Sequence, residues 1–184
     1  MPEGHALGAD VEEGYGTDHE VAAKEAVALF KRLDNGLCGK KRRAYEKGVD
    51  RLGIQGMAMR SYASQDEELH VEAFVLRMKD KGKVREFFEL RREPAGLAGL
   101  AEGPEIEARA GNAACFVMPG PERPEDAEEE ERWQDRLRGT ACSAYDDEVL
   151  VSVTSAEVGG PHTEAVADLV EKQLRHIGSP GEYG

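Results

Sequence analysis

The sequence predicts an α+β domain, a mainly antiparallel sheet with helices packed on one face, either ferredoxin-like or built from duplicated hairpin–helix units. Three observations predict it. Two stretches, IQGMAMRSYASQDEELHVEAFVLRMK and TACSAYDDEVLVSVTSAE, each read as a pair of extended runs around a short polar turn. Each is followed by a segment with apolar residues at helical spacing, KGKVREFFELRRE and PHTEAVADLVEKQLRHIG. And each carries a tyrosine before its turn, Tyr62 in the first and Tyr145 in the second, so the second half echoes the first.

Taken in order, residues 1–17 are rich in Gly and acidic side chains, show no periodicity, and are expected to be a flexible N-terminal tail. Thr17-x-x-Glu20 has the form of a capping box. With Ala22, Ala26, Leu29, Phe30 and Leu33 at helical spacing, it predicts a helix over 18–34, stopped by Asn35-Gly36. In the first hairpin Val71, Ala73 and Val75 face one way and Phe74, Leu76 and Met78 the other, so that strand is expected to be central and covered on both sides. The helix after it places Val84, Phe87, Phe88 and Arg91 together and is expected to be ended by Pro94 and the Gly96/Gly99 region. AACFVM is a short strand, and residues 119–138 form an acidic insertion that suits a helix, with Pro124 in its first turn and Trp133 and Leu137 four apart. The second hairpin turns near Asp146-Asp147. The last helix buries Val166, Leu169, Val170, Leu174 and Ile177, with His176 in its final turn and Gly178 as its stop. The domain therefore spans 18–178, with a C-terminal tail over 179–184.

The chain has 184 residues, room for one domain with a real core, with 40% hydrophobic and 33% charged residues. Its formal net charge of −13 repels a phosphate backbone and argues against nucleic acid as a partner. No apolar run reaches the length of about 18 residues that crosses a bilayer, and MPEGHALGAD is not a signal peptide. With Met1 as the true start the expected compartment is the cytoplasm; a chain trimmed of an export or anchoring segment would read the same.

The search for chemistry returns no catalytic, cofactor-binding or metal-ligating set. There is no G-x-S-x-G elbow, Ser-x-x-Lys, C-x-x-C or phosphate loop, and GYGTDH follows no strand and lacks a third glycine. His5, His19, His70, His162 and His176 stand at no metal-ligand spacing. The run Glu128–Glu131 reads as a solvated, self-repelling face rather than a calcium loop, whose ligands must converge. Two contact candidates remain. The basic cluster Lys40, Lys41, Arg42, Arg43 and Lys47 could meet anionic lipid headgroups or a polyanion, or could offset acids of the same molecule. Trp133 could anchor the insertion to the body or stand out as a contact residue.

Cys115 and Cys142 each sit in a predicted strand on either side of the insertion. Neighbouring strands would allow a disulfide; a reducing compartment would leave three small buried thiols, and Cys38 could compete for either partner. The order GLCG after an N-terminal helix, then AACFV, CSAYDDEVLVSV and AVADLVEKQLRHIGSPGE, resembles the extracytoplasmic domains of actinobacterial (Streptomyces-like) membrane-anchored proteins and lipoproteins of unassigned activity. The likeness covers roughly residues 18–184 and is densest in the last forty. It implies an oxidising compartment, a Cys115–Cys142 staple between adjacent strands, and a non-enzymatic binding or sensor-like domain tethered at the cell surface. Its partner would be a protein or cell-envelope ligand, and the membrane would be met only through a segment this chain lacks. Two alternatives accompany that reading: a small carboxylate-dependent enzyme, and an intracellular dimeric α+β ligand-binding protein.

Overall fold

The computed structural model describes residues 5–11, 14–33, 39–65, 68–97, 100–107, 111–118, 139–157 and 162–178. In chain order the elements are β1 (His5–Leu7), β2 (Asp18–Ala22), α1 (Ala23–Leu33), α2 (Gly39–Arg51), β3 (Ile54–Ser64), β4 (Leu69–Met78) and α3 (Lys81–Leu97). Then follow β5 (Ala101–Glu102), β6 (Ala113–Met118), β7 (Gly139–Asp146), β8 (Val149–Glu157) and α4 (Thr163–Gly178). The strands form one antiparallel sheet in the order β1-β3-β4-β8-β7-β6-β5, with β2 also pairing β3. The α+β class and the antiparallel sheet stand as the sequence predicts.

The sheet is built around the two expected hairpins. Their second strands, β4 and β8, meet at the centre, running from Leu69 opposite Glu157 to Arg77 opposite Val149. The second hairpin closes through Asp147, whose φ of 46° lies in the left-handed region that Asp tolerates better than most residues. Asp80 caps α3: its carboxylate accepts a 3.0 Å hydrogen bond from the Lys83 backbone N–H. Gly53, at φ +66°, carries the chain from α2 into β3, where its carbonyl accepts the Lys79 N–H.

Alternation along the strands sorts the apolar residues into two cores. One face carries Met57, Met59, Leu76, Met78 and Leu150, joined by Ala26, Leu29 and Phe30 of α1, Val49 of α2, and Val84, Phe87 and Phe88 of α3. The other carries Val71, Ala73, Val151, Val153, Cys142 and Cys115, joined by Val166, Leu169, Val170 and Leu174 of α4. The expectation of helices on one face is thus corrected: three lie on one side and α4 on the other. The strand read as covered on both sides, β4, is covered in this way. The placement also limits the internal repeat. A two-fold axis between β4 and β8 would put α3 and α4 on the same face, and they are on opposite ones.

Several local expectations change. The first helix starts at Ala23, because Asp18–Ala22 pair with Arg60–Gly56 and satisfy the edge of β3. A whole ladder of backbone bonds outweighs one capping box. Val21 consequently enters the core opposite Met57, and Ala22, expected on the helix face, is exposed. Part of the stretch expected to be a tail joins the sheet, with His5–Leu7 paired to Tyr62–Ser64. Ser61 ties it down: its N–H reaches the Thr17 carbonyl, its carbonyl accepts the Gly8 N–H, and its hydroxyl donates to the Ala9 carbonyl. The basic stretch that no element had claimed is α2. α3, by contrast, ends at Leu97, inside the Pro94 to Gly99 region expected to stop it, and Pro94 sits close enough to the helix end to cost only one of its last hydrogen bonds. The insertion 119–138, the Asn35-Gly36 stop, Cys38 and the C-terminal tail lie outside the described residues.

Candidate functional site

The face of the sheet under α4 has two parts. On the β6–β7–β8 side, Cys115 and Cys142 occupy facing positions on adjacent strands and are joined by an S–S bond of 2.04 Å. The next residue in that row is Val153 of β8. The bond is sealed from solvent: Cys142 is fully buried and Cys115 nearly so. Gly103 donates its N–H to the Cys115 carbonyl, and a Cβ at Gly103 would stand 2.8 Å from that of Cys115, so only glycine lets this segment close over the bridge.

α4 packs chiefly on β7 and β8, and the same face of β2, β3 and β4 lies open as a trough along its flank. One end, of about 160 Å³, is polar, lined by Asp18, Glu20, Ala58, Arg60, Tyr62 and Gln173. The other, of about 830 Å³, has Val75 and Val149 in its floor and Arg77, Asp80, Lys81, Asp147 and Glu148 around it. Val75 lines both ends. Alternation builds it: Glu20, Ala58, Val75 and Val151 stand in one cross-strand row, Asp18, Arg60, Ala73 and Val153 in the next. The Arg60 guanidinium is held above its ordinary range, first by its hydrogen bond to Asp18, with Tyr62 adding and partial burial opposing. Arg77 faces Glu148 at 3.8 Å. Five carboxylates against three cations give the trough a mildly acidic lining with an apolar floor.

A second polar centre lies at the end of β8. Glu157 is fully buried, accepting hydrogen bonds from the Ser155 hydroxyl and from the His162 N–H just before α4. The Ser155 Oγ in turn accepts the Thr140 N–H at 3.1 Å. The carboxylate thus stitches β7, β8 and the start of α4 together, where a helix N-terminus favours a negative group. Both of its oxygens are spent on holding structure.

The comparisons with known proteins can be set against this geometry. No protein-family model matches the chain, and no curated protein sequence matches it. Among solved structures, it is similar to the extracellular domain of PknH from Mycobacterium tuberculosis, at 10% identity over 71% of this chain and 70% of that one, with a TM-score of 0.47. It is also similar to an uncharacterized protein from Mycobacterium smegmatis, at 11% identity over 96% and 90% of the two chains, with a TM-score of 0.38. At these scores neither likeness carries a functional argument.

The residues singled out from sequence fall in three places. Cys115 and Cys142 are brought together. The basic cluster lies on α2, away from the trough, and is split. Lys40, Arg43 and Lys47 are exposed, while Arg42 turns toward α1, binding Glu46 at 2.9 Å and approaching the Lys31 carbonyl at 3.5 Å. The Lys41 side chain and Trp133 lie outside the described residues. Sequence reading missed Asp18 and Arg60, which are 42 positions apart and meet only because Asp18 is in a strand. It also missed Glu157, in a run that gave no sign of its burial, and Arg51, which the spacing 40, 43, 47, 51 could have disclosed.

Among the described residues no three His, Cys, Asp or Glu side chains gather to hold a metal ion. The trough's best-placed carboxylate, Asp18, is already engaged by Arg60.

Proposed function

We propose that the chain is a non-enzymatic binding domain that works outside the cytoplasm, tethered at the cell surface, with its ligand in the trough beside α4. The observation that carries this reading is the Cys115–Cys142 bond, buried between adjacent strands of the sheet. Bonds of this kind form and persist in oxidising compartments and are rare in the cytosol. The trough supports the binding role: it sets Tyr62, Arg60 and two carboxylates at one end beside a valine floor ringed by charged side chains at the other, so it offers a ligand both apolar and charged contacts.

The test is fractionation of cells that produce the chain, with free thiols alkylated before lysis and the protein mapped without reduction. The expected result is recovery with the envelope or outside the cell, carrying a 115–142 crosslink. Recovery only from the cytoplasm, with both cysteines alkylated, would overturn the reading.

A further inference from the structure

α2 presents one face that the fold does not use. On a helix of 3.6 residues per turn, Lys40, Arg43, Lys47 and Arg51 fall within one narrow arc, with Ala44 among them, and all five are exposed. The opposite side is the buried one, where Val49 enters the core and the Tyr45 hydroxyl donates to the Phe30 carbonyl at 3.0 Å. The two acids of the helix are drawn off the stripe: Glu46 is bound by Arg42, and Asp50 by Lys31 of α1 at 2.6 Å. None of the four stripe cations has an ion pair among the described residues. In a protein of net charge −13, four cations in a row about 16 Å long, with their neighbouring acids already neutralised, form a local field opposite in sign to the whole.

We infer that this stripe is a docking surface for an anionic lipid bilayer. The shape favours a bilayer over a polymer strand. The cations lie along a single helix edge, matching a plane of headgroup phosphates, and none of the cavities that line the trough or the disulfide includes an α2 residue. At physiological ionic strength screening acts over about 8 Å, so a membrane touching α2 meets the stripe, and the acidic remainder, including the trough rim, is repelled. One orientation results, with α2 against the headgroups. The inference stands on α2 alone and does not depend on the compartment proposed above.

The experiment is co-sedimentation of the full chain with vesicles of phosphatidylcholine containing 30% phosphatidylglycerol, and with pure phosphatidylcholine vesicles. Each basic residue near an anionic surface strengthens binding about five-fold. The variant Lys40→Gln/Arg43→Gln/Lys47→Gln/Arg51→Gln should therefore lose binding by two orders of magnitude or more. The control Lys79→Gln/Arg85→Gln/Lys172→Gln/Arg175→Gln, which removes four exposed cations elsewhere, should retain it. Near-UV circular dichroism establishes that both variants are folded. No binding of the native chain to the anionic vesicles would overturn the inference. So would equal loss in both variants, and so would binding to soluble polyphosphate without binding to vesicles.

Discussion

Removing the disulfide is the perturbation that tests the structure most directly. The bond closes a loop whose ends are 27 residues apart. On the chain-entropy account, a closure of that length restricts the unfolded chain by about 12 cal/mol/K, or about 3.5 kcal/mol at 25 °C. The bridge stands in the core under α4, so the variant of choice is Cys115→Ala/Cys142→Ala, which puts no new polar group there. With a urea m-value of about 2 kcal/mol/M, its midpoint should fall by about 1.7 M. Reductant offers a second route to the same state. Dithiothreitol should lower the midpoint of the native chain by a comparable amount and leave that of the alanine variant unmoved. Because Cys142 is fully buried, alkylation of the reduced pair should require urea. A native midpoint indifferent to reductant, with three alkylatable cysteines, would refute the pairing and the compartment argument with it.

The remaining predictions concern the supports of that region. Glu157→Ala leaves the Ser155 hydroxyl and the His162 N–H without their acceptor and should cost about 2–4 kcal/mol, read from the urea midpoint. Glu157→Gln retains a carbonyl acceptor and should cost less. Gly103→Ala places a methyl 2.8 Å from the Cys115 Cβ and 3.2 Å from its carbonyl carbon; backbone cannot yield cheaply, so a loss of about 1–3 kcal/mol is expected by the same measurement.

What could be read from sequence followed the strength of the local pattern. β3, β4, β7, β8 and α4 alternate or repeat over eight residues or more, and long periodic signals survive tertiary context. α2 escaped because Tyr45 and Val49 are its only large apolar side chains, too few to set a period. β1 and β5, of three and two residues, are defined by their partners rather than by themselves. The start of α1 misled because Thr17 and Glu20 satisfy a local rule, while the competing claim on Asp18–Ala22 comes from β3, some forty residues away. Which face each helix covers was also out of reach: alternation in β4 says that both faces are buried, and says nothing of what buries them. The strand patterns marked Cys115 and Cys142 as candidates for a bridge but left three free thiols or a pairing with Cys38 equally open; only the resemblance implied the pair. The trough was not legible, since its lining is gathered from β2, β3, β4, β8, α3, α4 and two turns.

The disulfide links fold and compartment through the position of β6. Every central strand has two long neighbours, but among the described residues β6 has β7 on one side and only the two residues of β5 on the other. Its sequence, AACFVM, is uncharged and apolar throughout, the kind of segment that pairs with other chains when it is freed. Cys115 fastens this strand to β7 at the third of its six positions, and Gly103 closes the chain over the fastening. The bond therefore does for β6 what a second long neighbour does for β4 and β8. A compartment that kept the thiols reduced would leave an apolar near-edge strand held by one full ladder and the short pairing with β5. The physical cost of that arrangement, more than any feature of the trough, is what supports the oxidising compartment proposed above.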